Sequence, residues 1–253
     1  MTMQASTLPE HVPPRQSTTG EWTAFWRFVR KPTMPAPGRA PIGRAASGIA
    51  RMVLLDYLLM IALMLVAGAL VAAGVPMPES DLVGADWDAM LIVFALVLAP
   101  LGEEFVFRGW LTGRPALVWS TLALVAGGLG AVLFAGTPVL AGVLVLAGIL
   151  AALLAAIFMW KRPRYEWSPR VFKALFWTST LAFALVHLTN YSEGSLLALL
   201  PFVLPQFIGG TIFGYVRVHY GLWASVIVHA LHNSVVVAIA LSAMSAAERA
   251  GGA

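Results

Sequence analysis

Seven apolar blocks, each long enough to cross a bilayer, constrain the fold of this 253-residue chain more than any other feature. A helix needs about 20 predominantly apolar residues to traverse the hydrocarbon core. Lipid offers the backbone no water to bond with, so such blocks must satisfy their own peptide groups as helices. The spans are expected at about 49–75, 89–112, 115–135, 138–160, 170–190, 195–218 and 221–245. The predicted class is all-α, a polytopic integral membrane bundle of about seven transmembrane helices. Composition agrees, with 11% charged residues where a soluble domain carries about 25%.

Residues 1–20 are polar, interrupted by proline and without period, which predicts disorder. In residues 21–31, Trp22, Phe25, Trp26 and Val29 fall on one helical face, with Arg27, Arg30 and Lys31 mostly away from it. That pattern predicts a short amphipathic helix in the membrane interface. Docking on the cytosolic end of the bundle is the alternative. The domain plan is a cytosolic tail over 1–48, a membrane helical domain over 49–245 and a short tail over 246–253. Within it, 116–160 is almost free of polar side chains.

Seven of the 16 Lys and Arg precede Met52. Arg39, Arg44 and Arg51 precede the first span, and Glu79, Asp81, Asp86 and Asp88 follow it. Arg108 and Arg114 follow the second, and Lys161, Arg162, Arg164, Arg170 and Lys173 fill the loop before the fifth. The loop near Glu193 is acidic, and Arg217 precedes the last turn-around. By the bias of Lys and Arg toward the cytoplasm, the N-terminus is cytosolic. The same distribution accounts for the sequence pI near 9.8 without nucleic acid as a partner. Cysteine is absent, which excludes disulfides, thiolate zinc sites and thiol nucleophiles.

Ionisable residues inside such blocks cost about 2.5–3.5 kcal/mol at mid-helix on insertion scales, so packing alone does not place them there. In Gly102-Glu103-Glu104-Phe105-Val106-Phe107-Arg108, Glu104 and Arg108 form an i,i+4 pair in the favourable order. Glu103 is rotated about 100° away and has no such local partner, which leaves it available for acid–base work. An interfacial cluster is the bland alternative. Phe183 and His187 stand four apart in the fifth span, with the ring of Phe183 expected to stack one turn before the imidazole and exclude lipid. His229, His232 and Asn233 share a broad face of the last span, where two donors one turn apart can hold an oxyanion. The same stripe can equally bond helix to helix. Asp56, near the start of the first span, is expected at the interface.

Depth tests whether these residues meet. At 1.5 Å per residue, Glu103 lies about 18 Å from the turn at Pro115, His229 about 12 Å from Gly221 and His187 about 27 Å from Pro169. Glu103 and His229 agree on a mid-depth site. His187 comes out roughly two turns too deep.

Taken in order, the three motifs resemble those of the CPBP (CAAX protease and bacteriocin-processing, or Abi) family of intramembrane peptidases, E-E-x-x-x-R, F-x-x-x-H and H-x-x-x-N. The resemblance covers about residues 89–240. It departs from the family in the two spans, about 116–160, that separate the first motif from the second. It implies that Glu103 activates a water with His187, that His229 and Asn233 stabilise the oxyanion, and that Glu104–Arg108 is a structural pair, with Phe183 and His232 in support. The implied activity is hydrolysis of a peptide bond in a membrane-associated protein or peptide, in a bacterial cytoplasmic membrane. Either no cofactor is required, or Glu103, His187 and His229 hold one divalent metal such as zinc. Two other functions use the same residues: a non-catalytic immunity or partner-binding protein of this fold, and a proton- or ion-coupled transporter.

Overall fold

The computed structural model describes residues 17–34, 42–78, 80–82 and 85–251. The expected disorder of residues 1–16, and the flank charges Arg39 and Glu79, lie outside them. Every regular element among the described residues is helical. These are α1 (Thr18–Arg30), α2 (Ile42–Ala72), α3 (Ala89–Val93), a π-helical turn (Phe94–Leu98), α4 (Ala99–Arg108), α5 (Pro115–Leu133), α6 (Pro138–Met159), α7 (Pro169–Val186), α8 (Leu196–Leu199), α9 (Leu204–Tyr220) and α10 (Leu222–Gly251), with 3-10 turns at 109–112, 187–190 and 200–203. Seven stretches are long and apolar enough to span: Ile42–Ala72, Ala89–Thr112, Pro115–Leu133, Pro138–Met159, Pro169–Asn190, Leu196–Tyr220 and Leu222–Ser242. Their outward faces carry dozens of exposed Leu, Val, Ile and Phe side chains, among them Leu65, Val132, Leu133 and Leu197. Only lipid makes such a surface stable.

Local chemistry sets the ends of these helices. Pro115, Pro138 and Pro169 occupy first turns, where the missing N–H costs nothing. Asp88 caps α3 through the Leu91 amide at 2.8 Å, and Ser17 caps α1 through Gly20 at 3.2 Å. The Ser17 cap starts α1 three residues earlier than the periodicity placed it, so 18–20 are helical rather than disordered.

α9 is the central post, buried along most of its length and packed against α1, α2, α7 and α10. Its glycines allow that approach. A Cβ on Gly214 would lie 2.6 Å from the Phe176 ring. α1 docks on this core through Phe25 and Phe28, while Trp26 stays half exposed beside Arg27, Arg30 and Lys31. Of the expected face, Phe25 is buried, Trp22 and Val29 are partly buried and Trp26 is exposed, while Phe28 and Glu21 are also buried. Glu21 turns inward because the hydroxyls of Tyr215 and Tyr220 donate to its Oε1 at 2.8 and 2.7 Å. α5 and α6 form a tight hairpin in which a Cβ on Gly127 would sit 2.8 Å from the Leu144 carbonyl oxygen. This hairpin is the apolar stretch that separates the first two motifs.

Candidate active site

Glu103, Phe183, His187, His229, His232 and Asn233 all line one cavity of about 200 Å³. They come from α4, from α7 and the turn that ends it, and from α10. Glu103 Oε2 has no hydrogen-bond partner among the described residues. It faces His187 Nε2 at 3.9 Å and His229 Nε2 at 3.7 Å. Both distances exceed a direct hydrogen bond and suit one bridging water.

Each imidazole is oriented from behind. His187 Nδ1 lies 2.7 Å from the Phe183 carbonyl oxygen, which can only accept, so Nδ1 carries the proton. His229 Nδ1 lies 3.2 Å from Glu104 Oε1. Both Nε2 atoms are thereby turned toward Glu103. The Phe183 ring meets the two imidazoles edge-on, at 4.8 Å from His187 and 5.4 Å from His229. The stacking expected of Phe183 on His187 is therefore a T-shaped contact. The ring that stacks is Phe213, at 4.6 Å and 21° from His229.

Behind the cavity, Glu104 and Arg108 are fully buried and paired through Oε1 and Nη1. The Arg108 guanidinium also lies 4.1 Å above the Phe183 centroid, a cation–π contact. Gly210 makes room for both, since a Cβ there would meet Phe183 at 2.9 Å and Arg108 Nη2 at 3.1 Å. The neighbouring glutamates thus stand in opposite situations, one neutralised and sealed, the other unpaired and facing the cavity.

His187 reaches the site despite its depth from Pro169. Ser179 on α7 donates to the Phe107 carbonyl oxygen of α4 and fixes their register. From that tie His187 is about 12 Å along α7 and Glu103 about 6 Å along α4. The two helices run in opposite senses as the fifth and second spans, and helical side chains lean toward their own N-termini. The two side chains lean toward each other and take up the difference.

Asn233 bonds one span to another, as the alternative reading of its stripe has it. Its Nδ2 donates to the Ala95 carbonyl oxygen at 2.8 Å. In the π turn the Ala99 amide bonds to Phe94, so Ala95 has lost its α-helical donor. Its i+5 donor would be residue 100, a proline with no N–H. Asn233 fills that vacancy and fixes the π turn against α10, leaving one amide hydrogen for the cavity.

Two residues were misplaced by the sequence reading. Asp56 is fully buried, not interfacial, and its Oδ2 lies 2.9 Å from His232 Nδ1. The helix starts at Ile42, so Asp56 stands about 21 Å inside it. Arg217, read as a loop charge, is buried and donates through Nε and Nη2 to the carbonyl oxygens of Arg108 and Gly109, each at 3.1 Å. It caps the C-terminus of α4, where a cation suits the helix dipole. No local signal marks either role, because the partners lie 176 and 109 residues away.

A tetrahedral zinc site, with metal–ligand bonds near 2.0–2.2 Å, puts ligand atoms about 3.3–3.6 Å apart. The Glu103–His separations are wider. Among the described residues no group of three or more His, Asp or Glu side chains is arranged to hold a metal ion.

Fold and cavity define an integral membrane protein with a carboxylate–imidazole centre enclosed by its spans. A family model described as type II CAAX prenyl endopeptidase Rce1-like matches residues 85–169 and 163–235, well over half of the chain. The chain belongs to that family, which is a protease family consistent with the resemblance read from the motifs. The first matched segment holds Glu103, Glu104 and Arg108, and the second holds Phe183, His187, His229, His232 and Asn233. No curated protein and no solved structure matches the chain.

Proposed function

We propose that this protein is an intramembrane endopeptidase in which Glu103 activates the attacking water without a metal. The observation that carries the reading is the unpartnered Glu103 Oε2, facing two imidazole Nε2 atoms at 3.7 and 3.9 Å in one cavity. Glu103 takes a proton from a water held against His187, whose Nε2 accepts the second O–H. The hydroxide forms a bond to the scissile carbonyl carbon. His229, its Nδ1 held against Glu104, faces the oxyanion through Nε2 together with the remaining amide hydrogen of Asn233. Collapse breaks the C–N bond, and Glu103 returns its proton to the leaving nitrogen.

The substrate is a segment of a membrane-associated protein or peptide presented extended at the cavity. Prenylated CaaX termini, leader peptides and membrane-anchored regulators all fit that description. The composition, rich in Ala, Leu and Gly and favouring Arg over Lys, supports a bacterial cytoplasmic membrane with the N-terminus in the cytosol. The burial of Arg217 removes one charge from that orientation argument and leaves the loop of Lys161, Arg162 and Arg164 as its main support. Comparative proteomics of membranes containing wild type or Glu103→Gln tests the function. One or more membrane proteins should accumulate uncleaved with the variant. Identical cleavage patterns would refute the reading.

A further inference from the structure

Three polar groups at the cavity have no place in the reaction above. Gln206, in the first turn of α9, lines the cavity with its Oε1 buried and without a partner. His232 lines the same cavity with Nδ1 committed to Asp56 at 2.9 Å, and its Nε2 has no bond to the described residues. Asp56 is wholly buried and touches the cavity only through that imidazole. His232 packs against α9 one turn beyond Gln206, where Gly209 has no side chain. A Cβ there would lie 3.2 Å from His232 Cε1.

A buried amide oxygen without a partner is costly. An unmet buried donor or acceptor forfeits roughly 1–3 kcal/mol. Substrate supplies the counterpart. A peptide must be extended to be cut, and an extended segment in an apolar site exposes N–H and C=O groups that need partners. Apart from Asn190, in the turn after α7, most of the remaining wall is apolar, with Leu91, Phe94, Val236 and Val237. A glutamine amide carries a donor and an acceptor side by side, the pattern that one peptide group complements.

The geometry points to Gln206 and His232, the latter set by Asp56, as the residues that hold the substrate main chain beside the scissile bond. This rests on the peptidase reading. Gln206 and His232 are binding residues, and Asp56 is a positioning residue that acts through His232.

The test uses full-length protein in liposomes and a farnesylated, internally quenched CaaX octapeptide, read both as cleavage and as binding to Glu103→Gln protein. Gln206→Leu is expected to raise KM and the Kd measured on the Glu103→Gln background about tenfold, the worth of one or two hydrogen bonds. kcat should fall less than threefold, and Tm should not drop, since an unsatisfied group has been removed. Asp56→Asn should shift the same two constants in the same direction by a smaller factor. Unchanged Kd and KM in Gln206→Leu would overturn the inference, as would a fall in Tm and kcat at constant KM. Absence of any peptide binding to Glu103→Gln protein also counts against it. Cleavage by Glu103→Gln at the wild-type rate refutes the catalytic reading instead, so the two failures are distinguishable.

Discussion

Glu103 and Glu104 are adjacent and chemically identical, yet removing their charges should have opposite consequences. Glu104→Gln keeps shape and still offers an oxygen to His229 Nδ1, so it isolates the loss of charge. What remains is the Arg108 guanidinium, 1% exposed, with the Gly210 carbonyl oxygen at 3.4 Å and the Phe183 and Phe213 faces at 4.1 and 5.4 Å to offset it. Stranding one partner of a buried pair costs about 3–5 kcal/mol. Arg108→Met alone strands Glu104 and should cost a similar amount. The double variant Glu104→Gln/Arg108→Met removes both charges and should cost no more than either single variant, a coupling energy of at least about 3 kcal/mol. Glu103→Gln, at a half-open position with no ion pair to a cation side chain, should stay within about 1 kcal/mol of wild type. The assay is equilibrium unfolding of purified protein by SDS titration from mixed micelles. Equal stability of Glu104→Gln and Glu103→Gln, or additive losses in the double variant, would refute the division into structural and unpaired glutamates.

Arg217→Leu strips the donors from two buried carbonyl oxygens at the end of α4 and should destabilise by about 2–4 kcal/mol. Arg217→Lys, a single point donor, should lose about half as much, and equal stability of all three proteins in the same titration would discount the cap. Gly127→Ala presses a methyl against the Leu144 carbonyl oxygen and the Gly148 backbone at 2.8 and 3.0 Å, costing about 1–3 kcal/mol. Its neighbour Gly128→Ala meets nothing within 4 Å and should be neutral or slightly stabilising in the same unfolding assay. Prolonged chelation should leave peptidase activity intact and elemental analysis should find substoichiometric zinc. One zinc per chain, with activity lost on its removal, would reverse the metal-free assignment.

The spans were legible because hydropathy is a local property and proline marks the entry to three of them. The first span was placed seven residues late because Arg44 and Ser47 read as polar, while Ala45 and Gly48 pack the helix into the core regardless. Gly48 matters there because any Cβ would strike the Tyr220 ring at 2.3 Å. In the cavity, Glu103, His187 and His229 stood out as ionisable residues in apolar runs, and the Glu104–Arg108 pair follows from helical spacing. Asp56 was illegible because depth depends on where its helix begins, and its partner lies on the last helix. Nothing in the sequence singled out Gln206 within the expected sixth span, and Asn233 gained its bond to Ala95 only through a π turn. Side-chain lean between opposed helices, which brings His187 to Glu103, is a tertiary effect that rise per residue does not contain.

The central claim is that Glu103 is the base that activates water, and the most direct measurement is the cleavage rate of Glu103→Gln in liposomes on a substrate that wild type cuts. Loss of a general base costs about 10²–10⁴ in rate, so the variant should fall at least a hundredfold while its unfolding midpoint and peptide affinity hold. A rate within tenfold of wild type, from protein free of contaminating protease, would contradict the account.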